Sequence, residues 1–506
     1  MVLSDAKPNP PTVAPRRLGV SARASLLWGG GFVLLRDIAQ FGVMLILVRL
    51  LTPAEYGTAA LAQAIIGLAS VVSFATFSGH ALQMRNPDEI DWQAHFTAAA
   101  VINTALATLV LALAYAISFT THYAQVALPL AALAIVFIVE IPSTLRHRML
   151  ETAHDWKRFR LLLVIGTFLG LASGLLVAMI GGGIWALIVQ PPMLGLPAAI
   201  DLLLIQRFRP DWLWNWSRWR DTFRFGLDRI GSGLVGRGRV LNEQLLLSAL
   251  YDLATLGTFT RATGLATLLA GRIGLVAMMS LHPVVTRAES GSAQFRRLAD
   301  LVLRGVVWAT VPAAVFLGLA ASDMVGLLYG EQWVSVAELM PFAAIAIGIG
   351  GIISALSSLL VANDDTRTAM WLEAAAAASA MALAFLLIPR GASTFLAGLG
   401  IHGVVVTIAA IALLWHRRAV SVDGVLAAFA PALVACAVGM TAVLALRHAT
   451  GTSEHLVLRL VIDASVLGLG YMVTLRLAFT LPLAELLDVA PGGAWLGRWM
   501  GLQAAP

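Results

Sequence analysis

Charged side chains stand where an apolar sequence should exclude them, and arginine dominates the set. Arg36 and Asp37 lie in one apolar run, with Gln40 one turn beyond Arg36. Another run holds Asp228, Arg229, Arg237, Arg239, Asn242 and Glu243, and the next holds Arg261 and Arg272. A guanidinium stays charged at every accessible pH and presents a planar fork of donors that matches carboxylate and phosphate. The chemistry open to these residues is the binding of an anion. A carrier of cationic compounds would need the opposite sign. Constellations for catalysis are missing: ten histidines are scattered without metal-ligand spacing, and the single cysteine, Cys436, is inside an apolar run. No GxSxG, phosphate-binding loop or paired-acid motif stands in a suitable setting, so neither an enzyme activity nor a cofactor is expected.

The elements that position these residues are membrane helices. Of 506 residues 59% are hydrophobic and 12% charged, with mean hydropathy +0.84, whereas soluble domains carry about 25% charged residues. Apolar runs recur at 26–51, 56–79, 94–119, 124–145, 161–181, 184–205, 223–248, 253–281, 299–321, 334–361, 369–388, 394–415, 424–446 and 457–479. Each is close to the ~20 residues that a bilayer requires. The spacing therefore predicts an all-α integral membrane protein of about fourteen transmembrane helices. Helical geometry places Arg229, Arg237, Arg239 and Glu243 in one broad arc of the seventh span, opposite Leu227, Leu234, Leu241 and Leu245. Arg261 and Arg272, eleven residues apart, point the same way about 16 Å from one another. A structural ion pair is the alternative reading for Arg36–Asp37 and for Arg239–Glu243. Arg49 and Glu55 suit the fixing of a loop, and Arg304 and Arg459 suit snorkelling at span ends.

Basic residues orient the array. With the N-terminus inside, the inner segments hold 23 of the 34 Lys and Arg residues and the outer loops only Arg390 and Arg447, as the positive-inside rule requires. Both termini are expected in the cytoplasm. This distribution also disposes of the nucleic-acid reading that the +6 net charge invites.

A repeat divides the spans. Leu50-Leu51-Thr52-Pro53-Ala54-Glu55-Tyr56-Gly57-Thr58 recurs 200 residues later as Leu250-Tyr251-Asp252-Leu253-Ala254-Thr255-Leu256-Gly257-Thr258. Each copy joins the first two helices of a six-helix block, an arrangement common in transporters. The expected organisation is a disordered cytoplasmic tail (1–24), an N-lobe of six helices (25–206), an interfacial linker (207–222), a C-lobe of six helices (223–416), two further helices (417–480) and a cytoplasmic tail (481–506). Trp212, Trp216 and Trp219 share one helical face of the linker, interleaved with arginines, which suits the headgroup region.

The segment Val48-Arg49-Leu50-Leu51-Thr52-Pro53-Ala54-Glu55-Tyr56-Gly57-Thr58-Ala59-Ala60-Leu61 resembles the first hairpin of the Wzx/PST-type polysaccharide flippases. These belong to the multidrug/oligosaccharidyl-lipid/polysaccharide (MOP) exporter superfamily. Ile141-Pro142-Ser143-Thr144-Leu145-Arg146-His147-Arg148 and Leu256-Gly257-Thr258-Phe259-Thr260-Arg261-Ala262 are similar to that family too. The resemblance covers about residues 25–480. It implies a MATE-like fold of two six-helix lobes (a pseudo-repeat) plus two C-terminal helices. It also implies movement of an undecaprenyl-pyrophosphate-linked oligosaccharide from the cytoplasmic to the periplasmic leaflet of the bacterial inner membrane, for exopolysaccharide, capsule or lipopolysaccharide O-antigen. Alternating access, coupling to a proton or sodium gradient, and a polysaccharide polymerase as partner come with it. Arg36, Asp37, Gln40, Arg229, Arg237, Arg239, Glu243, Arg261 and Arg272 are the expected substrate-binding cavity, with membrane lipids around it and no nucleic acid or metal. A multidrug exporter or a lipid II exporter of the same superfamily is the alternative.

Overall fold

The computed structural model describes residues 35–84, 89–212, 216–271, 285, 288–450 and 455–489. Among these every regular element is helical. Eleven helices are long and apolar enough to cross a membrane. In chain order with their neighbours, the first lobe contains α1 (35–50), α2 (Pro53–Gln83), α3 (Trp92–Ser118), α4 (Ala124–Thr152), α5 (Trp156–Met179) and α6 (Trp185–Ile205). The second begins with α7 (Trp216–Leu250) and α8 (Leu253–Ala266). It continues with α9 (Ala293–Leu319), α10 (Glu331–Ala362), α11 (Thr366–Arg390) and α12 (Ala392–His416). The final helices are α13 (Val422–Ala449), α14 (Leu456–Ala478) and the short α15 (Thr480–Val489). Helices α1, α7 and α8 fall outside the eleven: α7 carries many charges, α8 with the helical turn after it is described only to Gly271, and α1 is described only from residue 35. Among the described residues eleven of the fourteen expected runs qualify by length and apolarity, and parts of the first and eighth runs lie outside those residues.

The helices stop and start where local chemistry dictates. Thr52 caps α2 and Glu55 returns a bond to the Thr52 backbone N–H, a capping box with Pro53 at the first helical position. Asp252 caps α8, and Asp91, Asp155, Ser292 and Asp365 cap α3, α5, α9 and α11. These side chains satisfy amide donors that a bilayer would leave without water. The turns gather at two opposite ends. At one, Arg49 donates to the carbonyl oxygens of Leu327 and Leu328, Gln332 and Trp333 donate to Val48 O, and the Tyr251 hydroxyl donates to Ile388 O. At the other, Ser290 donates to Asp364, and Arg417 pairs with Asp365.

The repeated hairpins meet face to face. A Cβ on Gly57 would overlap the carbonyl of Leu253, and one on Gly257 would overlap that of Pro53. The same relation holds with every number shifted by 200. Thr58 and Thr258 each bond the carbonyl four residues back, Ala54 and Ala254. Only glycine lets two helix backbones approach this closely, and α2 and α8 are joined there. The same device clamps α5 to α6: Gly166, Gly170 and Gly174 face the carbonyls of Leu194, Gln190 and Ala186.

Outward faces are apolar. On α12, Ile401, Val405 and Ile408 are 61–68% exposed at helical spacing, while Gly400, Gly403, Val406 and Ala410 face inward. Large side chains toward lipid and small ones toward protein are what a membrane bundle needs, because lipid tails are as apolar as leucine.

Four sequence expectations change. Residues 216–222, expected in an interfacial linker, are the first turns of the continuous α7. Trp219 is buried there, and Trp212 instead packs from a non-helical segment on Phe96. Residues 481–489, expected in a tail, form α15, whose Pro482 carbonyl and Glu485 carboxylate hold Arg304. Arg304 is buried rather than snorkelling. Arg459 pairs with Asp323 at 2.5 Å, inside a network that Arg447 and Asp463 complete. The tail 1–24, Arg272, and the side chains of Asp228 and Arg229 lie outside the described residues.

One buried charge cluster yields a stability prediction. Asp201 on α6 accepts from Arg146 (2.5 Å) and Arg158 (2.6 Å), and the Arg146 side chain is 7% exposed. Asp201→Ala strands the Arg146 charge, at about 3–5 kcal/mol. A clear fall in the thermal midpoint of the detergent-purified protein is expected, whereas Arg158→Ala, at a 41% exposed side chain, should cost far less.

Candidate functional site

A cavity of about 580 Å³ opens between α1, α2, α5, α6 and α8. Arg36, Asp37 and Gln40 enter it from α1, Tyr56 and Gln63 from α2, Thr167 from α5, Gln190 from α6 and Arg261 from α8. Small residues shape it: Gly170 and Ala59 keep the wall thin, and Gly264 leaves room beside the Arg261 guanidinium.

Two cations inside it differ in kind. Arg36 is paired, its Nη2 lying 3.0 Å from Asp37 Oδ1. Arg261 has no carboxylate partner among the described residues. Its guanidinium carbon stands 4.5 Å from the centre of the Tyr56 ring, and its Nε is buried without an acceptor. Cation–π contact offsets part of the cost of the buried charge. The unmet donor remains, and buried donors without acceptors are expensive. An anion in the cavity would satisfy it.

The closed end of the cavity is aromatic. The Tyr56 ring meets the Trp333 ring edge-on at 5.4 Å, and Trp333 meets Tyr329 at 6.0 Å. Trp333 is fully buried and its indole N–H donates to Val48 O at 2.8 Å. Tyr329 precedes α10 and Trp333 lies in its first turn, so the start of α10 backs the Tyr56 side of the chamber.

Of the residues expected to line a cavity, Arg36, Asp37, Gln40 and Arg261 come together in this chamber. Arg237 is exposed and lies against α2, 3.7 Å from where a Cβ on Gly67 would sit. Arg239 and Glu243 pair with each other at 2.5 Å on α7, away from the chamber lining, so the ion-pair alternative holds for them. Arg272 and the Arg229 side chain lie outside the described residues. Sequence reasoning overlooked Gln63, Thr167, Gln190 and Tyr56. A search for amides within apolar runs would have found the two glutamines, but nothing in the sequence marks Tyr56.

The lining offers binding groups. Arg261 and Arg36 suit an anionic group; Gln63, Gln190 and Thr167 offer amide and hydroxyl partners to neutral polar groups. Among the described residues no cluster of His, Cys, Asp or Glu could hold a metal ion.

Comparison with known proteins agrees with this architecture. The family described as "Polysaccharide biosynthesis protein" matches residues 46–338. The chain is 23% identical over 335 residues to the succinoglycan biosynthesis transport protein ExoT of Rhizobium meliloti (strain 1021). That match spans 63% of this chain and 65% of the relative. Its fold is similar to that of the lipid II flippase MurJ in an inward closed conformation, with TM-score 0.68 and 14% identity over 87% of this chain and 98% of the other. It is also similar to an inward-facing multidrug resistance MATE family transporter of the MOP superfamily, with TM-score 0.54 and 14% identity over 76% and 94% of the two chains. With a family match over more than half its length, the chain belongs to the polysaccharide biosynthesis protein family, as a multi-pass membrane protein whose fold is similar to those of the MurJ and MATE structures.

Proposed function

We propose that this protein flips a lipid-linked oligosaccharide, carried on a polyprenyl pyrophosphate such as undecaprenyl pyrophosphate, from the cytoplasmic to the periplasmic leaflet by alternating access. The observation that carries the reading is Arg261, a cation without a carboxylate partner among the described residues, with a buried unmet donor, inside a chamber lined in part by polar side chains. The pyrophosphate takes the arginines, the sugars meet the amide wall, and the lipid tail stays in the bilayer. Support also comes from the relative's role in succinoglycan transport and from the flippase fold. The chamber is sealed at the end where the α1–α2 and α7–α8 turns meet. On the charge distribution that end is periplasmic, both termini are cytoplasmic and the host membrane is the bacterial inner membrane. The translocated unit then passes to a polysaccharide polymerase.

Deleting the gene tests this. Lipid-linked oligosaccharide is expected to accumulate in the membrane and polymer to disappear, with both reversed by the wild-type chain; polymer unchanged in the deletion strain would sink the reading. If lipid II accumulates instead, the substrate is the peptidoglycan precursor. A periplasm-active reporter fused after Asp252 checks the orientation, and a cytoplasmic signal there would reverse it.

A further inference from the structure

Helix α2 is not continuous. Its α-helical part ends at Ala69, a single 3₁₀ turn follows over Ser70–Val72, and Ser73 is extended (φ −69°, ψ 162°) before helix resumes at Phe74. A break in mid-bundle frees backbone groups that lipid cannot satisfy. Here Asn103 of α3 accepts from Phe74 N at 2.9 Å. Its amide nitrogen donates to Phe137 O (3.1 Å) and to Glu140 Oε2 (3.2 Å) on α4. The Ser73 hydroxyl donates to the other carboxylate oxygen, Glu140 Oε1, at 3.3 Å. Ser73 and Asn103 are fully buried and Glu140 is half-buried. Glu140 sits twelve residues from the end of α4, about 18 Å along the helix.

An intramembrane carboxylate normally has a cationic partner. Glu140 has none among the described residues, and the basic groups on its own and neighbouring helices are engaged elsewhere. Arg146 is committed to Asp201, and Arg148 to Glu151 and Ser78. On α5 Arg158 also serves Asp201. On α3 His95 lies eight residues from Asn103 with its Nδ1 at the Asp91 carbonyl, and on α2 His80 contacts the Thr222 hydroxyl. On α7 Arg237 reaches α2 at Gly67, before the break.

We propose that Glu140, held by Ser73 and Asn103 at the break in α2, is a proton-binding site coupled to the movement of α2. The surrounding groups favour a proton over a metal cation. Asn103 turns its donor toward the carboxylate and spends its acceptor on Phe74 N, so a bare cation would find few oxygen ligands. Ser73 can donate to a carboxylate or accept from a carboxylic acid. Ionised Glu140 ties α2 to α4 on one oxygen and to α3 on the other. Asn103 Nδ2 can only donate, so a proton taken up from water goes on Oε1; the Ser73 bond then reverses, and the Asn103 bond to the now neutral carbonyl oxygen weakens. The first half of α2, which carries Tyr56, Gly57 and Gln63, is then freer to pivot. The proton is released again when the break re-forms. The role in transport rests on the function proposed above; the protonation itself does not.

Infrared difference spectra of purified wild-type protein and Glu140→Gln, titrated over pH in lipid, test the site. Subtraction is expected to leave one titrating carboxylic-acid band, with Glu140→Asp shifting it; no residual band would overturn the proposal. Replacing sodium by choline is expected to leave the band unchanged, and a sodium-dependent shift would overturn the proton assignment. In a deletion strain, Glu140→Gln at wild-type membrane level is expected to lower polymer export by about tenfold, within the usual range of site-to-site coupling, with Glu140→Asp partly active. Equal export by wild type and Glu140→Gln would refute the coupling while leaving the flippase reading intact.

Discussion

Arg261→Ala is expected to abolish most polymer export in a deletion strain while the protein accumulates in the membrane normally. The guanidinium is tied to its surroundings by the Tyr56 ring and by no carboxylate, so its removal strands no buried acid. A charge-assisted hydrogen bond to the cargo is worth roughly 1.5–3 kcal/mol; at 1.4 kcal/mol per factor of ten, its loss lowers cargo affinity by about ten- to a hundredfold. Arg261→Lys keeps the charge but loses the planar fork, and an intermediate export level is expected. Polymer yield at matched membrane abundance is the measurement. Wild-type yield from Arg261→Ala would remove the arginine chamber from the mechanism.

The second large effect concerns the crossing of α2 and α8. Gly57→Leu is expected to hold open the end of the chamber that the wild-type structure closes. Any side chain at position 57 meets the Leu253 carbonyl and the Gly257 backbone, and backbone cannot step aside as a side-chain tip would. The two helices must separate, which also breaks the contact of Tyr56 with Trp333. A membrane-impermeant thiol reagent reads this out at Gln63→Cys, in a background where Cys436 is serine. Reactivity from the periplasmic side is expected to rise several-fold with Gly57→Leu, and Gly257→Leu should behave alike because the two positions are related by the repeat. Unchanged reactivity in both would mean that this crossing is not a gate.

How far these features were legible in the sequence depends on which physics set them. Hydropathy marked the helices because a bilayer demands long apolar runs, and that signal is strong in α3, α5 and α12. It fails in part for α7, where so many charges lie that length and apolarity alone would miss the helix. The offset of 200 residues was visible as a few identities, and its reason is now physical: Gly57 and Gly257 touch each other's hairpins. Arg261 could be assigned to a cavity because an unneutralised charge in a span needs one, and Arg36 lines the same chamber although Asp37 pairs with it. The alternative for Arg239 and Glu243, a plain ion pair, is what the structure contains. Charge counts could not foresee that Arg304 and Arg459 find acids on distant segments, since Glu485 and Asp323 are 181 and 136 residues away. Glu140 escaped notice because the break in α2 that gathers Ser73 and Asn103 around it leaves no trace in periodicity.

The most direct test is translocation by the purified protein. Proteoliposomes carrying the polyprenyl-pyrophosphate-linked oligosaccharide isolated from the deletion strain would be exposed to a membrane-impermeant glycosidase. Without protein, only outer-leaflet saccharide should be cut. With wild-type protein nearly all of it should become accessible, and with Arg261→Ala the accessible share should stay near the protein-free level. If wild-type protein leaves the inner pool protected under an imposed proton gradient of either sign, this chain does not flip lipid-linked oligosaccharide.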